Sequence, residues 1–480
     1  MSYLLNSPEV IKENLRLDSQ KLKQSSLSIF KRRQYEAVLR HLTQSRIALN
    51  VSDDQKIQDY VHALLMLCNL GDLPRAKALL QLPVTKTKTL HEYFGHLGCY
   101  LEQCQVYEAV MDKFAAQIDL RFKAVLLDGL GWANGRLGKT DKAILLHEEA
   151  LEIARDLHDQ HIEVKAYYGL AAIYEVNLGD LIKSEYFYNK MLKVATATNS
   201  LKYRGLAILG KAYYKHYNAQ FKQSINLCNR VLQIADGIDN EEVYVKAILQ
   251  IVMSIVMSSH QISNMDHLLE NLNLCLEKVR NINDKRQEAV ILSNYINLFM
   301  VLQDLSKARE CYQQSFQIAN QMNAVPLKIL LLGQIGAIYL REKNFYEALE
   351  SLLAAHQLMI IHNQMSMSYT LLLLNIGYCY GCLKDFNQAI TYAHKGLELA
   401  KINNNQYLLG FGMAVIANAH WQKNRYGHGI AFILYSFWIY PPWKHEGMRY
   451  IFLEAVRSIR NLLREKLGWF GSVTRKFHNY

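Results

Sequence analysis

Proline is scarce in this sequence, with six residues among 480, and no stretch rich in proline, glycine or serine divides the chain. Half of the residues are hydrophobic. Proline interrupts helices, and weakly hydrophobic segments remain unfolded because they cannot bury enough apolar surface. The composition therefore suits long helices and leaves little room for disordered linkers.

The sequence also has no disulfide framework and no secretory signal. Its eight cysteines are scattered, and most lie in apolar helical patterns where a thiol serves as a small hydrophobic group. Acidic and basic residues interrupt the N-terminus, unlike the charged-then-apolar layout of a signal peptide. These features predict a cytoplasmic protein. The uncharged run at 429–443 is shorter than the about 20 residues that span a bilayer.

Positive charge is concentrated at the two ends of the chain. The formal net charge is +11. Residues 1–48 contain nine Lys or Arg and four Asp or Glu, and residues 443–480 contain eight and three. The long middle is nearly neutral. Basic ends could contact nucleic acid or an anionic membrane, or they could simply be solvated helix faces.

A helix-hairpin pattern recurs about every 40 residues from residue 130 onward. One copy is LGWANGRLGKTDKAILLHEEAL, residues 130–151, and another is IGYCYGCLKDFNQAITYAHKGL, residues 376–397. Each has a small residue in the first helix, a polar turn, and a second small residue twelve positions later. The first-helix small residues include Gly131, Gly336 and Gly377. We expect them to let the two helices approach closely where they cross.

The pattern resembles the tetratricopeptide repeat family over most of the chain. The second-helix small residue recurs at Ala76, Ala109, Ala143, Ser184, Ser224, Ala308, Ala348, Ala389 and Gly429, with weaker candidates at Ala37 and near Met265. The resemblance implies an all-α fold, a right-handed α-solenoid of about ten to eleven hairpins with a C-terminal capping helix. Most steps exceed the about 34 residues typical of the family, which indicates its longer-helix subset, with repeats of 40–42 residues.

The sequence predicts three regions. Residues 1–50 form an N-terminal helical cap, 51–443 the solenoid, and 444–480 a basic amphipathic capping helix and tail. Two copies depart from the pattern. Residues 243–280 lose the crossing signature, which predicts a distorted hairpin or a change in superhelical curvature. The copy at 170–192 has one extra residue before its turn, which predicts a slightly longer first helix.

Short motifs do not support a catalytic or metal site. A zinc-binding helix needs two histidines four residues apart, whereas His91 and His96 are five apart. Gly138-Lys139-Thr140 lacks the earlier glycine of a phosphate loop and lies in a predicted turn. The CxxC spacing at 379–382 falls on a repeat helix, without a second cysteine pair nearby. We therefore predict no catalytic residues, no metal, no cofactor and no enzymatic activity.

The tetratricopeptide resemblance implies which side chains meet a partner. In that superhelix the first helix of each hairpin lines the concave groove, and its second, fifth, ninth, twelfth and thirteenth positions point inward. The first half of the groove is then basic and aromatic. Its predicted partner-binding residues are Asp128, Trp132, Lys165, Tyr168, Arg204, Lys211, Tyr214 and Lys215. Arg136 and Glu175 occupy inward positions as well.

The second half of the implied groove is apolar. Its predicted partner-binding residues are Leu371, Leu374, Tyr378, Phe411, Asn418 and Trp421. Such a groove suits a peptide whose acidic end meets the lysines and arginines while its hydrophobic side chains meet the apolar half. Asp128 and Trp132 replace two residues of the family's chaperone-tail clamp, so Hsp70 and Hsp90 tails are not expected partners.

The C-terminal segment 447–467 has the pattern of a basic amphipathic helix. Its apolar face contains Met448, Phe452, Ala455, Val456, Ile459 and Leu463. Four arginines, Arg449, Arg457, Arg460 and Arg464, lie beside that face. Such a helix could cap the last apolar surface of the array, or it could lie on an anionic membrane. The sequence leaves both readings open.

These features predict a non-enzymatic scaffold that binds a protein or peptide partner in its concave groove. One alternative is a peptide-sensing regulator of the bacterial type, in which the ligand tightens the superhelix. Another is an assembly factor that docks peripherally on a membrane through 444–480. Nucleic acid is not an expected partner, because the basic segment around Lys31-Arg32-Arg33 is short and irregular. The sequence predicts neither the partner's identity nor the oligomeric state.

Overall fold

The computed structural model shows a chain built from helices. It describes residues 8–47, 53–84, 89–218, 220–237, 240–258, 265–364, 367–402, 405–441, 452–453 and 455–460. Within these ranges the only β pairing is an isolated antiparallel bridge between Pro83 and Thr89. The predicted all-α class is confirmed.

The first part of the chain contains shorter helices. They are α1 (Pro8–Leu15), α2 (Ser19–Gln24), α3 (Ile29–Ile47), α4 (Asp53–Leu70), α5 (Leu73–Leu80), α6 (Leu90–Leu97) and α7 (Tyr100–Lys113). Helices α4 and α5 form the first hairpin, and α6 and α7 form the second. The small residue predicted for the second helix of the first hairpin, Ala76, is fully buried. Helix α3 packs along α4 ahead of the array.

From residue 120 onward most helices have 17 residues. They are α8 (Leu120–Arg136), α9 (Thr140–Asp156), α10 (Gln160–Ile173), α11 (Leu181–Ala197), α12 (Leu201–Tyr217), α13 (Phe221–Gly237), α14 (Glu241–Met257), α15 (Met265–Asn281), α16 (Lys285–Val301), α17 (Leu305–Gln321), α18 (Val325–Arg341), α19 (Phe345–Ile361), α20 (Met367–Cys382), α21 (Phe386–Ile402), α22 (Gln406–Gln422) and α23 (Tyr426–Ile439). Two such helices and two short turns account for the 40-residue period. The described residues thus form ten consecutive hairpins, a tetratricopeptide-like helical-repeat solenoid.

The turns between hairpins use residues suited to ending and starting helices. After α15 and α17, Asn283 and Asn323 adopt left-handed backbone angles, which asparagine tolerates better than most residues. In both turns the next helix begins two residues after the asparagine. Asp284, which directly precedes α16, accepts a hydrogen bond from the Gln287 amide at 2.9 Å and so caps that helix. These local signals set the register of the repeat.

Glycines in the first helices permit close packing, in two different ways. A Cβ atom at Gly377 would lie 3.0 Å from the Ala389 carbonyl oxygen, so the two helix backbones approach closely there as expected. At Gly131 and Gly336 the space is taken by side chains of the second helix. A Cβ atom would lie 2.7 Å from His147 and from Leu352, respectively. These two glycines therefore make room for a side chain rather than for a backbone.

The two departures from the repeat pattern have different outcomes. The extra residue in the copy at 170–192 is accommodated by a π-helix, Tyr174–Leu178, at the end of α10. Insertions of one residue commonly produce such π-turns, often at functional sites. The hairpin at 243–280 keeps two 17-residue helices, α14 and α15, like its neighbours. Leu272 and Cys275 of α15 are fully buried in its core.

Successive turns of the superhelix touch one another. Helix α6 contacts α16, five hairpins farther along. His96 hydrogen-bonds Asp284, and Asn405 Nδ2 donates to the Tyr217 carbonyl at 3.3 Å; each pair is separated by 188 residues. One apolar core joins the first hairpins with α16, α17 and α18. The array therefore makes about two turns, and the second turn packs on the first.

The C-terminal end is described only in part. Of the predicted capping segment 444–480, residues 452–453 and 455–460 are described. The Phe452 ring packs edge-on against Phe437 of α23 at 5.4 Å, and Ala455 packs beside Ala414 and Ile433. The rest of that prediction lies outside the described residues. Within the described ranges, no helix has the length and apolar character needed to cross a membrane.

Candidate functional site

Cations and aromatic rings from several first helices come together in the interior of the superhelix. The Arg136 guanidinium lies 5.5 Å from the Trp132 ring centroid. The Trp132 ring is 5.2 Å from the Tyr168 ring, and Lys246 Nζ lies 5.3 Å from the centroid of Tyr168. Cation–π contacts of this kind orient the cation and its ring. The charge of Arg286 opposes the charged forms of both Arg136 and Lys246, so Arg286 lies near them. We call the region around Trp132, Arg136, Tyr168, Lys246 and Arg286 the lumen.

Lys246 is held by neutralising contacts. Its ammonium group donates to Tyr168 Oη and to Glu242 Oε1, both at 2.7 Å. Burial opposes the charged form, but Glu242 and Tyr168 outweigh it and raise the pKa of Lys246. Lys202 also pairs with Glu242, at 2.9 Å. Lys246 is therefore charged and already compensated.

Arg136 and Arg286 differ from Lys246 because neither forms an ion pair with any described residue. Both side chains are half-buried. Burial lowers the pKa of Arg136, and the charge of Arg286 lowers it further. Tyr100 lies close to both arginines, and their charges oppose the burial that raises its pKa. The Tyr100 side chain is 2% exposed, and its hydroxyl has no hydrogen-bond partner among the described residues.

Glu175, on the π-helix, lies behind these cations. The Tyr188 hydroxyl donates to Glu175 Oε2 at 2.9 Å. Burial raises the pKa of Glu175 to about 8, against the hydrogen bond from Tyr188 and the charges of Arg136 and Lys246. Most Glu175 carboxyls are consequently protonated at neutral pH. This residue does not neutralise the lumen arginines.

The predicted residues of the first half lie in two environments. Asp128 is buried and hydrogen-bonds His147 at 2.9 Å, so it stabilises its own hairpin instead of facing the lumen. The other seven are half-buried side chains on α8, α10 and α12: Trp132, Lys165, Tyr168, Arg204, Lys211, Tyr214 and Lys215. Among them, Trp132 and Tyr168 meet in the lumen. The role of the remaining five in binding stays a prediction.

The predicted residues of the second half are mostly engaged in packing. Leu374 is fully buried with Ala400 and Leu408, and Leu371 packs against that cluster. Tyr378 and Phe411 pack against a second cluster around Leu397 and Val415. The Trp421 ring contacts Tyr426 at 5.1 Å, and Asn418 is half-buried. Leu374 is therefore a core residue, because it fills the space between hairpins.

The short motifs serve local structure. His91 hydrogen-bonds Tyr107, whereas His96 hydrogen-bonds Asp284, so the two histidines have different partners. Gly138 has a φ of 81° and ends α8, which places Gly138-Lys139-Thr140 in a helix-to-helix turn. Burial raises the pKa of the Cys379 thiol to about 12, so this thiol is protonated and a poor nucleophile at neutral pH.

One cluster in the described part of the chain has the composition of a metal site. His41 of α3 and Asp59 and His62 of α4 offer ligand atoms within 4.8 Å of one another. The His41 Nδ1 to Asp59 Oδ1 distance is 3.6 Å. Structural zinc sites use four protein ligands. This trio supplies three, so water would have to complete the coordination of a bound cation.

Two lumen cations, Lys246 and Arg286, were not among the residues predicted from the sequence. Lys246 lies in the hairpin where the crossing signature is lost, so no groove position was assigned there. Arg286 is the second residue of α16, which is an inward position in the family geometry. Applying the position rule to α16 would have identified it. No sequence pattern indicates that it lies near Arg136.

Comparison with known proteins supports the fold. No protein-family model and no curated protein matches the chain. A Rap protein complexed with Competence and Sporulation Factor aligns with 81% of this chain and 99% of its own, at a TM-score of 0.51 and 13% identity. A STAND ATPase with a tetratricopeptide repeat sensor from Pyrococcus horikoshii covers 91% of this chain and 73% of its own (TM-score 0.42, 14% identity). Aspartyl phosphate phosphatase F from Bacillus subtilis covers 75% and 96% (0.45, 13%). At such identities, only the first likeness carries weight, and it concerns the fold.

Proposed function

We propose that this protein is a non-enzymatic adaptor that binds an acidic peptide or protein segment in its lumen. The observation that carries this proposal is the concentration of cations and rings: Arg136, Trp132, Tyr168 and Lys246 on the preceding hairpins and Arg286 on α16 of the second turn. A cation on the protein surface is usually surrounded by water, whereas these cations lie near one another in the interior of the superhelix. Rings that stack with cations and peptide groups supply contact area at low entropic cost.

The partner's chemistry follows from the lumen. Positive charge attracts acidic side chains or a terminal carboxylate. The Rap protein of the same fold was solved in complex with Competence and Sporulation Factor, which is one example of a partner bound by this fold. A peptide is therefore the preferred ligand class.

Selection from a random peptide library, followed by fluorescence anisotropy, tests this proposal. We expect selected peptides to be acidic and to bind at least ten-fold more weakly to a Lys165, Arg204, Lys211 triple alanine variant. A matched control replaces Lys193, Lys222 and Arg230, exposed cations on the second helices α11 and α13, with alanine. Equal affinity for both variants would show that the groove assignment is wrong. Failure to select any peptide would overturn the adaptor proposal.

A peptide-sensing regulator is a second candidate, favoured by the contacts between turns. His96 with Asp284 and Asn405 with Tyr217 hold the two turns against each other around the lumen. A ligand between the turns would change how firmly they pack. Small-angle scattering with and without a selected peptide tests this role. A radius of gyration that does not change on peptide binding would argue against it.

Docking on a membrane is a third candidate, favoured by the outer face of α23. Leu434, Tyr435 and Trp438 are exposed there, and the last two rings stack at 5.8 Å. Exposed tyrosine and tryptophan side chains are typical of membrane interfaces. Flotation with anionic vesicles, comparing the full chain with residues 1–443, tests this role. If the full chain does not float with the vesicles, the membrane role is excluded.

A further inference from the structure

We infer that Arg136, Arg286 and Tyr100 form a binding site for one anionic group, a carboxylate or a phosphate, at the junction of the two superhelical turns. This inference rests on the proposed function insofar as the group would belong to a peptide in the lumen. It deepens that proposal by assigning the residues that hold the peptide's acidic end.

The three residues come from helix ends that the superhelix brings together. Arg136 is the last residue of α8, and Tyr100 is the first residue of α7, both in the first turn. Arg286 lies near the start of α16, in the second turn. It is two residues beyond Asp284, whose contact with His96 joins the turns. The site therefore spans the place where the turns meet.

The acidic groups nearest these arginines are committed elsewhere. Asp284 hydrogen-bonds His96 and caps α16 through the Gln287 amide. Glu242 pairs with both Lys202 and Lys246. Glu175 accepts the Tyr188 hydroxyl and is mostly protonated at neutral pH. Burial lowers the pKa of Arg286, but the charges around it, including those of Asp284 and Glu242, outweigh burial and raise it. Neither guanidinium group, however, forms a direct ion pair with a carboxylate among the described residues.

The chemistry of the three side chains suits an oxyanion. A guanidinium presents a planar fork of N–H donors that matches two oxygens of a carboxylate or phosphate. The Trp132 ring lies against Arg136 and restricts its orientation. The unpartnered Tyr100 hydroxyl supplies a further donor. A bound anion would remove the repulsion between the arginines and satisfy this hydroxyl at the same time.

Inorganic phosphate is the first probe of this site. The Tm of the full-length chain is measured against phosphate concentration, with sodium chloride at matched ionic strength as the reference. We expect a saturable rise of about 3 °C for the wild type, as binding to the folded state alone stabilises it. Arg136→Gln and Arg286→Gln should each abolish the rise. Arg230→Gln, which changes an exposed arginine of α13, should retain it.

Two further measurements guard against variants that merely fold poorly. Without phosphate, Arg136→Gln should melt no lower than wild type, because the substitution removes repulsion between the arginines. Tyr100→Phe removes only a hydroxyl without a partner, so it should fold normally and weaken phosphate binding at least three-fold. A phosphate-dependent rise that persists in Arg136→Gln and Arg286→Gln would overturn the assignment.

Peptide binding then distinguishes a peptide carboxylate from free phosphate as the source of the anion. It also distinguishes failure of the anion site from failure of the adaptor proposal. A selected peptide is compared with its C-terminally amidated form. If amidation weakens peptide binding to the wild type but not to Arg136→Gln, the site binds the terminal carboxylate. If amidation weakens binding to both proteins equally, the site does not bind that carboxylate. If peptides bind equally to wild type and Arg286→Gln, the assignment of the peptide's acidic end to this site is wrong while the adaptor role stands. If phosphate binds but no peptide is selected, the adaptor role fails while the site stands.

Discussion

The interiors of the two superhelical turns use equivalent helix positions differently. In the first turn, Trp132, Arg136 and Tyr168 remain half-buried and line a polar lumen. In the second turn, the inward positions implied by the family geometry include Leu374 and Phe411, which pack against neighbouring hairpins. Position in the repeat therefore does not decide whether a side chain meets a partner.

The largest expected effect is on the packed turn. Leu374→Ala should lower the free energy of unfolding by about 2–5 kcal/mol, because it leaves a cavity among fully buried residues. Trp132→Ala in the lumen should cost less. Urea denaturation of both variants measures the difference. If Leu374→Ala lowers the free energy of unfolding less than Trp132→Ala does, the proposed difference between the turns is wrong.

A smaller effect is expected at the contact that joins the turns. Asp284→Ala removes both the cap of α16 and the partner of His96, and should cost about 2–3 kcal/mol. Asp180→Ala is the control, since Asp180 caps α11 through the Lys183 amide without a contact between turns. We expect about 1 kcal/mol there. A double-mutant cycle with His96→Ala measures the contact itself, and a coupling of zero would contradict its role.

The stability of the protein should also depend on pH, because Glu175 lies behind the lumen cations with a raised pKa. Its pKa rises from 4.5 to about 8 on folding, so the folded protein holds this proton more tightly than the unfolded chain. The resulting stability is present below pH 4.5 and is lost as the pH rises through about 8. Glu175→Gln should therefore flatten the fall in Tm between about pH 5 and pH 8. The exposed Glu149→Gln variant serves as the control, and identical pH profiles for Glu175→Gln and wild type would disprove this linkage.

The smallest stability effect is expected on the outer surface of the second turn. Trp438 is 78% exposed, so Trp438→Ala should change the free energy of unfolding by less than about 0.5 kcal/mol. Trp421→Ala, which removes a half-buried ring packed on Tyr426, should cost more. Thermal denaturation of the two variants gives the comparison. A large loss for Trp438→Ala would mean that this face is covered in the folded protein.

Much of the fold was predictable because the signals that specify a hairpin are local. Small residues twelve positions apart, polar turns and apolar periodicity lie within one repeat, and they indicated the helices and the period. The site was only partly predictable. Trp132, Arg136 and Tyr168 followed from family geometry, whereas Leu374 was assigned to the groove although it fills the core. The family's list of inward helix positions does not take into account whether a neighbouring hairpin covers the residue.

The sequence by itself determined that the chain is an array of helical hairpins, because each hairpin's signals act over a few residues. Only the tertiary structure decided that α16 returns to α6, and that Arg286 shares an interior with Arg136. Superhelical pitch is the sum of small rotations between many hairpins, so contacts between turns depend on every packing angle along the way. No local pattern records that sum. The proximity of Arg136 and Arg286, neither of which forms an ion pair with a described residue, is therefore evident only in the folded chain.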